Sequence, residues 1–267
     1  KKRKPVNDGV DCEYAVEGNG PPIIFVHGIG ASRHAWDAII PYLRDRYTCI
    51  SYDLRGHGVS PAPPPPYTLD QLVTDLNRLQ TRLNIERAHV IGHSLGGMIG
   101  PAYARRWPNQ VYTLGLLSTA AARSVEDRAK VEAVVASMEA HGISDQLPML
   151  VSRWFTDMFI EQNPSVVERR LKQVLATDPA VFLSVFHLYA ETEMSPWLGE
   201  IGAPSLVLTG EFDGGCSPRL NQIIAKQIPD AELVILDGVK HAILLEAPER
   251  VAEEIQKFLA RQAMGCR

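Results

Sequence analysis

The stretch VIGHSLGGMI, residues 90–99, runs from apolar chain through a glycine-flanked serine and back into apolar chain. Gly92, Gly96 and Gly97 surround Ser94 at positions where a strand turning sharply into a helix needs small neighbours. Residues 92–96 fit G-x-S-x-G, a strained turn that exposes the serine oxygen at the C-terminal edge of a sheet. The apolar run before it and the amphipathic run after it supply the strand–turn–helix context that this reading requires.

The same alternation extends outward along the chain. PIIFVH (22–27), YTCISYD (47–53), AHVIGHS (88–94), VYTLGLLS (111–118), SLVLTG (205–210) and AELVILD (231–237) read as strands buried on both faces, the pattern of a mainly parallel sheet. Between them, WDAIIPYL, TLDQLVTDLNRLQTRL and LGGMIGPAYARRW carry apolar positions at helical spacing. VDCEYAVEGNG (10–20) alternates like an antiparallel edge hairpin and closes on Gly-Asn-Gly. The expected architecture is a three-layer α/β sandwich with a mostly parallel, eight-stranded sheet. The rhythm breaks between about residues 120 and 200, where helical periodicity continues without a convincing strand. That block reads as an inserted helical cap, dividing the chain into a first core part (1–119), the cap (120–200) and a second core part (201–267).

Hydrophobic residues at 45% and charged residues at 22% support a packed interior and argue against a disordered or coiled-coil chain. A net charge of -4 and a pI near 6.1 give no electrostatic reason to expect nucleic acid or an anionic membrane as partner. Cys12, Cys49, Cys216 and Cys266 form no C-x-x-C pair, so neither a metal site nor a disulfide framework is expected. Reduced thiols in a cytoplasmic protein are the simplest reading. KKRK (1–4) reads as a solvated tail, and no apolar stretch behind it suggests a signal peptide or a membrane span. Oligomeric state is not legible.

A serine hydroxyl is a weak nucleophile near neutral pH, so it needs a base within hydrogen-bond reach and a carboxylate to orient that base. In a sheet of this kind the partners follow the serine, acid first and histidine last, each on a loop after a later strand. Asp213, just past SLVLTG, and His241, just past the final strand, stand at those places. Glu211 is close to the same strand end, Asp237 precedes the histidine too closely to face it, and STAAAR (118–123) offers no carboxylate. His27, His57 and His93 precede Ser94 and suit loop-shaping roles, while His34, His89, His141 and His187 read as surface or packed residues. HGIGAS (27–32) lets the backbone curve inward after the first buried strand, so the Ile29 and Leu95 N–H groups are the expected oxyanion donors.

With these residues assembled, the chain resembles the α/β-hydrolase superfamily over essentially its whole length. HGIG, DLRGHGVS (53–60), GHSLGG (92–97), GEFDGGCSP (210–218) and GVKHAILLEAPERV (238–251) look like that family's landmarks in order. STAAAR and RWFTDMF (153–159) are similar to the 3-oxoadipate enol-lactonase and carboxylesterase group. The resemblance implies a cofactor-free serine hydrolase that cleaves a small ester or lactone through an acyl-enzyme. It also leaves open a carbon–carbon bond hydrolase, a perhydrolase or a triad-bearing ligand receptor. Ser94 excludes the relatives that use an elbow aspartate, and Leu95 and Ile243 stand where the carbon–carbon hydrolases typically carry Met and Trp. The group's carboxylate-bearing substrate favours a cationic pocket, yet residues 120–200 hold seven Lys/Arg against twelve Asp/Glu. A single inward arginine could still bind a carboxylate bidentately, with Arg153 beside Trp154 as the candidate substrate contacts, but an uncharged ester or lactone fits the composition better.

Overall fold

Consecutive side chains of a strand point to opposite faces, so an unbroken apolar run needs a layer on both sides. The computed structural model describes residues 9–265, which leaves the KKRK run and Cys266 outside the described residues. Its strands are β1 (Tyr14–Glu17), β2 (Pro22–Val26), β3 (Thr48–Tyr52), β4 (Ala88–His93), β5 (Val111–Leu117), β6 (Ser205–Gly210) and β7 (Ala231–Leu236). They form one sheet in the order β1-β3-β2-β4-β5-β6-β7. Only β1 runs antiparallel to its neighbour.

The sheet thus has seven strands among the described residues, one fewer than expected. The difference lies in residues 10–20, which supply a single strand and not a hairpin. Tyr14 pairs with Tyr52 and Glu17 with Cys49, so β1 lies along β3, and the chain then crosses to β2 on the far side of β3. Period-two alternation reveals a half-buried strand but not its partner. The Gly-Asn-Gly turn is instead packed on the entry to β3: a Cβ at Gly18, which has φ +83, would stand 2.3 Å from the Arg44 carbonyl oxygen.

The helices are α1 (Ile40–Leu43), α2 (Leu69–Arg82), α3 (Gly96–Arg106), α4 (Val125–His141), α5 (Ile143–Trp154), α6 (Asp157–Gln162), α7 (Pro164–Ala176), α8 (Pro179–Glu191), α9 (Pro218–Gln227), α10 (Ile243–Glu246) and α11 (Pro248–Gly265). On one face of the sheet Ile24 and Val26 share a core with Leu72, Met98 and Ile224. On the other, Ile23 and Phe25 share a core with Trp36, Leu43 and Ile255. This is the three-layer sandwich that the strand runs imply. Helices α4–α8 all fall between β5 and β6. No helix among the described residues is long and apolar enough to cross a membrane.

β3 and β4 flank β2 on opposite sides, so the chain reverses its direction of winding at β2, and a crevice opens at the C-terminal strand ends there. Two buried histidines lock the loops beside it. The Leu54 N–H donates to His27 Nε2 at 2.9 Å, which leaves Nδ1–H to donate to the Gly28 carbonyl at 2.8 Å. The Gly30 N–H donates to His57 Nε2 at 3.1 Å, and His57 Nδ1–H to the Arg55 carbonyl at 3.0 Å. Both rings are neutral in this pattern. Burial holds His27 well below the ordinary imidazole range and His57 down to about 4. Burial likewise lowers His89 to about 4 and His93 to about 3.

These four depressed values set the sign of an acid effect on stability. Between pH 6.5 and about 4 the unfolded chain binds protons at these positions that the folded chain refuses, so unfolding is favoured as pH falls. Each histidine contributes up to about 1.4 kcal/mol per pH unit in that window. Urea unfolding at pH 7.5 and pH 5 is expected to give a clearly lower midpoint at pH 5. An unchanged midpoint contradicts neutral burial of these rings.

Candidate active site

The turn from β4 into α3 is built by close contacts that admit no side chain. A Cβ at residue 92 would lie 2.0 Å from the Gly96 carbonyl oxygen, and one at residue 96 would lie 2.1 Å from that of Val26. Ser94, between them, takes φ 56, a left-handed conformation rare for residues other than glycine. Such strain costs on the order of 1–3 kcal/mol and persists only where the surroundings impose it. Here the Ser94 N–H is held by the Leu117 carbonyl at 2.8 Å, and its own carbonyl receives the Gly97 N–H at 2.9 Å.

Asp213 follows β6, and His241 follows β7. The Asp213 carboxylate is buried and fully used. Oδ1 accepts the N–H groups of Gly215 (3.0 Å) and Cys216 (2.8 Å), while Oδ2 accepts His241 Nδ1–H at 2.7 Å. Burial disfavours the Asp213 charge, but His241 and the two backbone donors outweigh it and hold its pKa below the ordinary value. Burial also opposes the His241 cation, and there the adjoining Asp213 carboxylate prevails and raises the pKa. The rival acids are occupied elsewhere: Glu211 accepts the Gly238 N–H at 2.9 Å, and Asp237 pairs with Arg250.

Residue 93 ties the elbow to the histidine loop. His93 Nε2–H donates to the His241 carbonyl at 3.0 Å, and the two rings lie 5.0 Å apart. Ser94 and His241 line the same cavity, of about 570 Å³. No hydrogen bond joins Ser94 Oγ to His241 among the described residues, a state common in unliganded sites whose catalytic contacts tighten around substrate. Gly28 touches the elbow, since a Cβ there would lie 3.1 Å from Ser94 Cβ. The N–H groups of Ile29 and Leu95 donate to no protein group among the described residues.

The cavity wall opposite Ser94 comes from the helices between β5 and β6, with Val134, Leu150, Trp154, Phe186 and Tyr189 giving an apolar lining. Arg153 and Trp154 both line it. Arg153 is exposed, whereas the Trp154 ring lies beneath the guanidinium of Arg170 at 4.7 Å. The Trp154 carbonyl also accepts the Ala242 N–H at 2.9 Å, anchoring the end of α5 beside His241. Arg170 and Gln173 on α7 were not singled out from the sequence. Helical phase carries the signal: Val167, Arg170 and Val174 fall on one face of α7, and both valines are buried. Arg169 lines the cavity too, and Arg153, Arg169 and Arg170 have no ion-pair partner among the described residues. The acidic surplus of this segment lies elsewhere on its helices, where Glu126, Glu139 and Glu168 form exposed pairs.

Asp213, Cys216 and His241 bring donor atoms within 4.8 Å of one another, a spacing that metal ligands also show. Asp213 and His241 are already bonded to each other, and Cys216 Sγ meets the Tyr189 hydroxyl at 3.0 Å. The strained Ser94, the bonded His241–Asp213 pair and Ile29 thus all border one cavity.

The chain is similar to 3-oxoadipate enol-lactonase 2 of Acinetobacter baylyi, 29% identical over 254 residues that cover 94% of each protein. Among solved structures it is similar to a hydrolase from Pseudomonas aeruginosa, with TM-score 0.86 and 31% identity over 94% of this chain and 95% of that one. The enol-lactonase of Burkholderia xenovorans gives TM-score 0.86 and 27% identity over 93% and 96%. Residues 21–248 match the family model for the alpha/beta hydrolase fold, and the chain belongs to that family.

Proposed function

We propose that the chain is a cofactor-independent serine hydrolase that opens a carboxylic ester or lactone through an acyl-enzyme, with α4–α8 acting as the cap over its cavity. The observation that carries this reading is that the N–H groups of Ile29 and Leu95, close to the strained Ser94, donate to no protein group among the described residues. Buried donors without partners are rare, and two so near a nucleophile in sequence and fold suit an oxygen that becomes negative during reaction.

In this reading Ser94 Oγ attacks the substrate carbonyl carbon while His241 Nε2 takes its proton. Asp213 fixes the imidazole through Nδ1–H and stabilises the cation that forms. The tetrahedral oxyanion lies between the Ile29 and Leu95 amides. Its collapse breaks the acyl–oxygen bond, and His241 returns the proton to the departing alkoxide. Water, deprotonated by His241, then attacks the acyl-enzyme and frees the acid and Ser94. In a lactone the alcohol remains tethered, so ring opening yields a single hydroxy acid, or its keto tautomer from an enol.

The arginines favour a substrate that itself carries a carboxylate, as the name of the Acinetobacter relative implies for that enzyme. Arg170 lies in the cavity wall without an ion-pair partner, and burial pulls its pKa down to about 10. Such a cation is stabilised by any anion that joins it. An acid surplus on the outer helix surfaces does not cancel a charge inside a low-dielectric cavity.

Three outcomes follow from this chemistry. Wild-type protein is expected to turn over a nitrophenyl ester many times, and Ser94→Ala to lose at least about a thousandfold in kcat with its circular dichroism unchanged. A receptor that merely retains these residues stalls after one equivalent. Because Asp213 raises the His241 pKa, kcat/KM should rise with pH along a limb lying above 6.5, where the free base appears. Asp213→Asn should move that limb to lower pH while cutting kcat by about 10⁴, and an unmoved limb removes Asp213 as the partner. A lactone bearing a free carboxylate should show a KM at least about tenfold below that of its methyl ester, a difference one charged hydrogen bond supplies. Equal KM values remove the anionic substrate class.

A further inference from the structure

The loop after β2 depends on groups supplied by α7, about 140 residues farther along the chain. Its glycine at position 30 has φ +58, and a Cβ there would lie 2.5 Å from the Phe182 ring and 3.7 Å from Val174 Cα. The loop is therefore pressed directly beneath the inserted helices. Arg170 Nη2 donates to the Ile29 carbonyl at 2.9 Å and Nη1 to the Gly30 carbonyl at 2.5 Å. A second tie runs from Gln173 Nε2 to Ser32 Oγ at 2.7 Å.

These bonds fix the peptide planes in succession. The plane joining residues 29 and 30 is held by Arg170 at its oxygen and by His57 at its N–H. The plane joining residues 30 and 31 is held by Arg170 at its oxygen, and its N–H, on Ala31, donates to the Gly28 carbonyl at 3.3 Å. That carbonyl belongs to the plane joining residues 28 and 29, whose N–H is the free Ile29 donor. His27 holds the same oxygen from the core side at 2.8 Å. The direction of the Ile29 N–H is thus set from below by neutral histidines and from above by one cation.

We propose, resting on the serine-hydrolase reading, that Arg170 is a positioning residue for the oxyanion donor: its fork, held by α7 and Trp154, locks the 28–31 peptide planes and makes catalysis conditional on the inserted helices being seated on the core. The guanidinium suits this task because its two terminal nitrogens reach two successive carbonyls at once, whereas a lysine ammonium is a single point donor. The fork uses the Nη1–Nη2 edge. Nε donates to no protein group among the described residues, so the other edge can meet a substrate carboxylate while the loop stays clamped. Binding a carboxylated substrate and readying the oxyanion donor then converge on one side chain.

The test uses Arg170→Gln and Arg170→Lys in the full chain with nitrophenyl acetate, a neutral ester with no carboxylate for Arg170 to bind. The clamp predicts that both variants lose at least about tenfold in kcat, with KM changed less than about threefold. Affinity for a small boronic acid, which forms a tetrahedral adduct on Ser94, should fall by the same factor as kcat. Amide hydrogen exchange across residues 27–32 should quicken while that of β4 and β5 stays at the wild-type rate, which distinguishes a loosened loop from a failed fold. Wild-type kcat on the neutral ester in both variants, unaltered boronate affinity, or faster exchange throughout the sheet would each overturn the proposal. Failure of the underlying reading is distinct, since wild-type turnover would then survive Ser94→Ala.

Discussion

The carbonyl of Val26 stands where a side chain at residue 96 would have to go. That one close approach joins the end of β2 to the start of α3 and fixes the geometry at the crevice. It goes with a sharp bend at Ser94, whose φ is 56. The loop leaving β2 passes the serine at Gly28 and brings Ile29 to the cavity wall. The ends of two separate strands, β2 and β4, are thus packed against each other at the crevice. The strain of the serine, on the order of 1–3 kcal/mol, is small against the burial of β2 and β4 in the middle of the sheet.

Electrostatics separates the histidines at this sheet edge into two kinds. His27, His57 and His93 are buried without a carboxylate partner, so burial dominates and they remain neutral donors and acceptors for backbone. His241 is nearly as enclosed but rests against Asp213, and there the carboxylate reverses the effect of burial. Four imidazoles thus behave differently because, among them, only His241 is hydrogen-bonded to a carboxylate. The neutral three hold the loops on which the fourth depends, as when His93 supports the carbonyl of His241 itself.

The parts legible in the sequence are those where local chemistry and topology coincide. Gly92 and Gly96 signal the elbow because no other residue fits against the opposing carbonyls, and Asp213 and His241 follow from chain order along the sheet. The edge segment at 10–20 was less legible, since its alternation is satisfied equally by pairing with itself or with β3. Arg170 was hidden for another reason. Summing charge over residues 120–200 mixes exposed helix faces with the cavity wall, and the sum is acidic although Arg153, Arg169 and Arg170 line the cavity. Phase along α7 separates those faces, but the choice of which face looks inward depends on Phe182 and the β2 loop, which are remote in sequence.

The anchor between Trp154 and Ala242 is made by main-chain atoms alone, so it is indifferent to which side chain occupies position 154. The neighbouring apolar wall, including Val134, Leu150 and Phe186, takes no part in that attachment. Exchanging Val134, Leu150 or Phe186 can therefore recarve the cavity without touching the main-chain bond that seats the His241 loop.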